Sequence, residues 1–341
     1  MERVADEMDK QEDGKENEME SESKEEYAFK IVDNHLWQAY LEVHGYCVIT
    51  SVASSTDVST AVDMIWSDMR ELFHVERNDL TTWGNIPNGP AGILSNQIPQ
   101  TRGVWSIRGL ETIREVYRNI WETDELLVSM DSVLCWHPWW INPSWRPFSE
   151  GLHVDQNPFN KPNKCCVQGM VPLIDVSDSS GGLEVVPFSH TLESQTRFKQ
   201  NHPQYNGKWP TDFCLVQVTD HLDKPPILLK AKAGDLILWD SRLIHGGRVG
   251  TGTLMEEITA GSSSDLRAEA AAVDLARLSI TVCMTPKALA KEKVLIARQV
   301  GYLKGKTFTH WPHEAVCSFS DAAVSERFVP VELPPRVMEL I

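Results

Sequence analysis

The chain has 341 residues and a formal charge of -16, with 48 acidic against 32 basic side chains. That length can bury a sizeable core, while the acidity argues against a nucleic-acid partner, whose phosphates are bound by Lys and Arg. No apolar run reaches about 18 residues and the N-terminus is acidic, where a secretory signal would be basic and then apolar, so the sequence predicts a cytoplasmic protein with no membrane partner.

Residues 1–27 carry twelve Asp/Glu against four Lys/Arg and almost no large apolar side chains. A segment that cannot bury apolar surface does not recover its ordering entropy. Residues 1–26 are therefore predicted to be a disordered acidic tail, and 27–341 a single domain. Residues 35–45 read as a short amphipathic helix and 46–52 as a strand. Ser55 and Thr56 can cap a helix running to about residue 73, on which Val58, Ala61, Ile65 and Met69 recur near helical spacing. This front portion reads as scaffold. From 78 to 103 Gly, Pro, Asn and Gln predict one long loop.

Residues 110–122 predict a helix and 126–136 a strand. The stretch 137–147 is dense in tryptophan and proline. Its prolines argue against regular structure, so its indoles either pack the sheet or wall a pocket. Strand and turn signals then dominate. Residues 164–176 and 183–187 flank the turn sequence SDSSGG, and 226–231, 235–240 and 277–284 read as further strands. Residues 287–304 predict a closing helix. The seven cysteines are odd in number, contain no CxxC and include the neighbours Cys165 and Cys166, which predicts reduced thiols. A mainly β chain of many short strands with flanking helices fits a sandwich or barrel, with a jelly roll the natural candidate.

Within that frame one pattern carries chemistry. His153 and Asp155 stand one residue apart in SEGLHVDQNPF, and on an extended strand positions i and i+2 face the same side. The partner assigned to them is His245, which follows the apolar run of AGDLILWDSRLIHGG and enters Gly246-Gly247, where small residues allow close approach of a backbone to a ligand. Two imidazoles and one carboxylate on one face of a metal, with the remaining positions open, form the facial triad of non-haem Fe(II) oxygenases. Trp239 is expected to pack behind His245, and His137, His190, His310 and His313 are read as structural.

HVD, then SDSSGGLEVVPFSHT (177–191), then AGDLILWDSRLIHGG (233–247) together resemble the phytanoyl-CoA dioxygenase family of Fe(II)/2-oxoglutarate oxygenases. THWPH near the end fits the same family, and the resemblance spans roughly residues 26–312. It implies a cupin-like double-stranded β-helix, with His153, Asp155 and His245 as catalytic iron ligands and 2-oxoglutarate and O2 as cosubstrates. It also implies a basic residue for the distal carboxylate of 2-oxoglutarate, a task suited to the planar fork of a guanidinium. Relatives carry it about ten residues beyond the second histidine. Arg248 is too close. Arg277 opens the strand RLSITVCM after residues 249–276, which look like an insertion, so the role passes to Arg277, with Arg267 as the fallback. Met170 corresponds to a position flanking the cosubstrate, or to a plain core methionine. Arg108 falls where some relatives use a cation against 2-oxoglutarate, with a surface salt bridge as the alternative. A carboxylate at 155 favours hydroxylation over halogenation. The activity implied is hydroxylation of a small-molecule substrate with release of succinate and CO2. A non-catalytic metal- or 2-oxoglutarate-binding jelly roll and an oxygenase acting on a protein remain the alternatives.

Overall fold

The computed structural model describes residues 25–95, 97–207, 212–217, 220, 222–252, 274–314 and 328–341. The acidic tail lies almost wholly outside them, as do Arg267 and residues 253–273 at the centre of the expected insertion.

The strands are, in chain order, β1 (Ala28–Lys30), β2 (Tyr46–Thr50), β3 (Ile93–Leu94), β4 (Leu126–Val128), β5 (Val133–Trp136), β6 (His153–Val154) and β7 (Val167–Pro172). They continue with β8 (Gly181–Val185), β9 (Cys214–Leu215), β10 (Ile227–Leu228), β11 (Leu236–Asp240), β12 (His245–Val249), β13 (Arg277–Thr281) and β14 (Met284–Pro286). A large sheet runs β1-β2-β11-β7-β13-β5-β3, a smaller one runs β10-β8-β12-β6-β9, and β14 pairs with β4 alone. All pairings are antiparallel except β1 with β2. The two larger sheets face each other as a jelly roll: residues of both meet in one apolar cluster that includes Val48, Met170, Ile237 and Trp239 from the large sheet and Leu183 and Val185 from the small one.

The pleat explains why the strands of the large sheet read as continuous apolar runs. Side chains alternate between faces, and here each face is covered. Cys47, Ile49, Val167, Val171, Leu236, Leu238, Leu278 and Ile280 join the main core, to which helices α1 (Asn34–His44), α2 (Ser55–Phe73), α3 (Arg102–Arg108) and α4 (Glu111–Trp121) contribute Trp37, Ile65, Met69, Val104 and Val116. The alternate positions Gln168, Met170, Trp239 and Arg277 point to the other side, where the small sheet stands. Gly169 fits this scheme closely: a Cβ there would lie 2.4 Å from the Tyr117 hydroxyl, so the helix layer approaches the sheet because that residue has no side chain.

Several expected boundaries shift for local reasons. Ser54, not Ser55 or Thr56, caps α2, accepting from the Asp57 amide while the Asp57 carboxylate accepts from Ser54, a reciprocal capping box. The loop expected over 78–103 is largely organised, with 3-10 turns at Leu80–Asn85 and Ile98–Gln100 around β3 and the start of α3. Asp79 caps the first turn through the Thr81 amide, and β3 pairs with β5. The single strand expected over 126–136 divides into β4 and β5, because the Asp131 carboxylate takes the Ser132 amide and the chain changes sheet there. The strand expected over 277–284 divides likewise at Val282 and Cys283, whose backbone amides go to the Gly169 carbonyl and the Ser129 hydroxyl. The closing helix begins later than expected, as a 3-10 turn at Lys287–Leu289 followed by Glu292–Leu303. Among the described residues no helix is long and apolar enough to cross a membrane.

Candidate active site

Between the two sheets lies a cavity of about 620 Å³, and the residues singled out for chemistry converge on it. His153 and His245 sit opposite each other where β6 pairs with β12, with ring centroids 4.5 Å apart. Asp155 follows β6 and turns the same way. Its carboxylate oxygens stand 3.8 Å from His153 Nε2 and 3.3 Å from His245 Nε2. One ligand atom from each of the three lies within 4.8 Å of the others, so they could hold a single metal ion.

Both imidazoles are oriented by their own chain. His153 Nδ1 is 2.9 Å from the Gly151 carbonyl and His245 Nδ1 is 2.8 Å from that of Leu243. A carbonyl can only accept, so each Nδ1 carries a proton and each ring turns its Nε2 toward the shared point, as the atom a metal would take. Burial, and then repulsion from His245, push the pKa of His153 down to about 4, which keeps the ring neutral. Burial works against ionisation of Asp155, but the bond to His245 and the field of the two imidazoles outweigh it and hold the carboxyl well below the usual carboxylate range. Gln168 Nε2 donates to Asp155 Oδ2 at 3.1 Å. Phe213 lies against the His153 ring and Trp239 against that of His245, with centroids 4.6 and 5.5 Å away.

Arg277 enters the same cavity from the head of β13. It is 4% exposed, its guanidinium lies over the Trp136 ring at 4.6 Å, and one terminal nitrogen is 3.3 Å from Met170 Sδ. Its Nε has no hydrogen-bond partner and no carboxylate pairs with it among the described residues. Burial alone lowers its pKa to about 10. A desolvated cation without a counterion is costly, and Arg277 faces the open space of the cavity. Met170 lies on the cavity wall as one of its neighbours.

Arg108 does not join them. It is fully buried on α3 and donates to the carbonyls of Thr281 at 3.1 Å, Pro99 at 2.7 Å and Asp131. It stands behind the cavity wall formed in part by Asp131 and Thr281, which corrects both the cosubstrate contact and the surface salt bridge expected of it. Arg248 is also engaged elsewhere, with Glu184 at 2.8 Å and the Pro226 carbonyl at 2.9 Å. A Cβ on Gly246 would lie 2.7 Å from the Gly151 carbonyl, so the missing side chain there lets β12 approach the segment carrying His153, and both Gly246 and Gly247 line the cavity. Trp139 packs on Trp136 and Trp145 stacks on His137, so the tryptophan-dense stretch is packing, and the indole on the cavity wall is its neighbour Trp136.

Several groups on the wall escaped the sequence reading. Gln168 could have been found, since it is a lone polar residue in a strand apolar on both faces. Phe213 carried no signal. His310, read as structural, lines the cavity with its Nε2 unpartnered among the described residues. The others behave as expected: His137 bonds Asn88 and the Trp83 carbonyl, His190 the Glu42 carbonyl and His313 the Thr285 hydroxyl.

The chain is similar to several known proteins. A protein of Aspergillus versicolor named Ava biosynthesis cluster protein O is 26% identical over 294 residues, covering 82% of this chain and 87% of its own. A Dictyostelium discoideum protein bearing the phytanoyl-CoA dioxygenase name is 22% identical over 249 residues, 61% of this chain and 68% of its own. Among solved structures, that of the epimerase SnoN with Fe3+, α-ketoglutarate and nogalamycin RO superposes with a TM-score of 0.51 at 14% identity, over 74% of this chain and 84% of the other, a likeness of fold. Residues 41–251, well over half the chain, match the phytanoyl-CoA dioxygenase (PhyH) family, and the protein belongs to that family of non-haem iron, 2-oxoglutarate-dependent oxygenases.

Proposed function

We propose that His153, Asp155 and His245 hold Fe(II), that Arg277 takes the distal carboxylate of 2-oxoglutarate with Met170 beside it, and that the protein hydroxylates a small organic molecule. One observation carries this reading: two imidazoles, a carboxylate and a buried guanidinium without a counterion among the described residues all open into the same cavity. The donor set suits the metal, because two nitrogens and one carboxylate oxygen are the ligands of non-haem Fe(II) oxygenases. It suits the cosubstrate because a dicarboxylate would give Arg277 the counterion it lacks.

Bound iron and 2-oxoglutarate supply the power to reduce O2, giving succinate, CO2 and one oxygen atom for insertion into a substrate C–H bond. The protein's own part is positional. The Gly151 and Leu243 carbonyls fix the tautomers, and Gln168 steadies the carboxylate of Asp155. Arg277 sets the direction of the dicarboxylate, while Phe213 and Trp239 keep water from the flanks of the two imidazoles.

The cavity is the size of an ordinary small-ligand pocket, which favours a metabolite over a protein substrate. The test is anaerobic loading with Fe(II) and 2-oxoglutarate, followed by admission of O2 and measurement of succinate with and without a fractionated metabolite extract. Succinate that rises with a fraction is the expected result. No iron uptake, or no succinate under any condition, would refute the reading.

A further inference from the structure

We propose that the substrate half of the cavity selects a cationic molecule carrying a basic nitrogen, that Glu150 is the carboxylate that reads it, and that acyl thioesters of a phosphorylated carrier are excluded. This rests on the oxygenase reading above. The titratable cavity lining apart from the histidines consists of Asp131, Glu150, Asp155, Asp212, Glu314 and Arg277, five carboxylates against one cation among the described residues. Asp155 is allotted to the metal and Arg277 to 2-oxoglutarate, which leaves four carboxylates and, among the described lining residues, no Lys or Arg to meet the substrate.

Some of that charge is balanced from behind. Lys161 bridges Asp212 at 2.7 Å and Glu314 at 2.8 Å, so that trio keeps one net negative charge. The Asp131 carboxylate accepts from the Ser132 amide and hydroxyl, with Arg108 held nearby on the backbone carbonyl of the same residue, and burial raises its pKa. Glu150 is different, because no hydrogen bond or ion pair engages its side chain among the described residues. The rim that carries it is nevertheless held in place: the Ser149 hydroxyl donates to the Gly247 carbonyl at 2.6 Å and accepts from the Gly151 amide at 3.1 Å. Glu150 thus stands at the mouth, three residues before His153, with its charge unanswered.

Aromatic rings complete the arrangement. Phe148, 65% exposed, lines the cavity two residues from Glu150, while the buried Trp311 on the same wall already has the Lys161 ammonium 3.8 Å from its ring centroid. A carboxylate beside an exposed aromatic face attracts an ammonium through both charge and ring quadrupole, and its charge repels phosphate. A carrier thioester would need Lys or Arg where this rim has Glu.

The test uses three probes of matched size and different charge, phenethylamine, phenethyl alcohol and hydrocinnamate. They are titrated calorimetrically and anaerobically into the Fe(II) holoenzyme at saturating 2-oxoglutarate, so that Arg277 is occupied. Phenethylamine is expected to bind about fivefold more tightly than hydrocinnamate at low salt, with the preference shrinking as salt is added. Glu150→Gln should remove most of that preference and Glu150→Lys should reverse it, with thermal unfolding confirming that both variants fold. An amine that binds no better than the acid, or not at all, overturns the proposal. A preference that survives in Glu150→Lys overturns the role of Glu150. Coenzyme A that displaces phenethylamine overturns the exclusion. Succinate formation by the same unmodified preparation tests the oxygenase reading separately: its absence fells both readings, whereas its presence beside a preference for hydrocinnamate fells only this one.

Discussion

Replacing Arg277 by methionine is expected to move two measurements in opposite directions. The guanidinium is buried without a counterion, and the lowering of its pKa from 12.5 to about 10 corresponds to a desolvation cost on the order of 3 kcal/mol. Its stack on Trp136 returns about 0.5–2 kcal/mol of that. Methionine keeps most of the apolar volume and removes the charge, so the metal-free, cosubstrate-free variant should be as stable as the parent or more stable by about 1 kcal/mol. Cosubstrate binding should respond the other way. Loss of a charge-assisted pair costs about 1.5–3 kcal/mol, or roughly ten- to 150-fold in affinity for 2-oxoglutarate, with iron still bound. Thermal unfolding with and without 2-oxoglutarate reads both effects, since a ligand raises Tm only in a protein that binds it; anaerobic calorimetry supplies the affinity. Wild-type affinity in Arg277→Met, with loss in Arg267→Ala or Arg248→Ala, would refute the assignment. Lysine at 277 should restore binding only in part, because it brings charge without the fork.

Three further outcomes are expected. His153→Ala, Asp155→Ala and His245→Ala should each lose iron while remaining folded, measured by metal analysis and circular dichroism; iron at the parent level in any of them would remove that residue from the site. Gln168→Leu should retain the metal but bind it about tenfold more weakly, since the partner steadying Asp155 is gone, and competition with a chelator checks this. Arg108→Ala should destabilise the fold by about 3–5 kcal/mol in denaturant unfolding, because it leaves a buried hole and three carbonyls without their donor, with little direct effect on 2-oxoglutarate affinity in protein that stays folded.

The two arginines also mark how far residue patterns reach. Arg277 was singled out because the family resemblance asks for a basic residue at the head of the strand after His245, and a strand head following a polar stretch is something a sequence displays; the fold brings it to the same cavity as the triad. Arg108 looked similar in kind, yet its environment is three backbone carbonyls from distant segments, and nothing in GVWSIRG announces them. The strands of the large sheet were visible through their apolar runs, while their ends were not: Ser129 to Ser132 turns where an aspartate side chain captures a neighbouring amide, a contact that competes with the ladder and leaves no periodic trace. The spacing of His153 and Asp155 showed a shared face, and the pairing with His245 followed from its strand-end context. His310 was missed because its place on the wall depends on how the segment after the closing helix folds back.

The double-faced large sheet has a consequence for how such an enzyme can change. Along β7, β11 and β13 one set of alternate residues is fixed by the helix layer, and the other set faces the cavity. A substitution at Gln168 faces only the cavity side and leaves the helix-side packing of Val167, Val171, Leu236 and Leu238 untouched, whereas Met170 and Trp239 line the cavity and also belong to the apolar cluster between the sheets. The same letters that shape the lining at those two positions thus also join the sheets, so a change of cavity there has to keep their apolar volume.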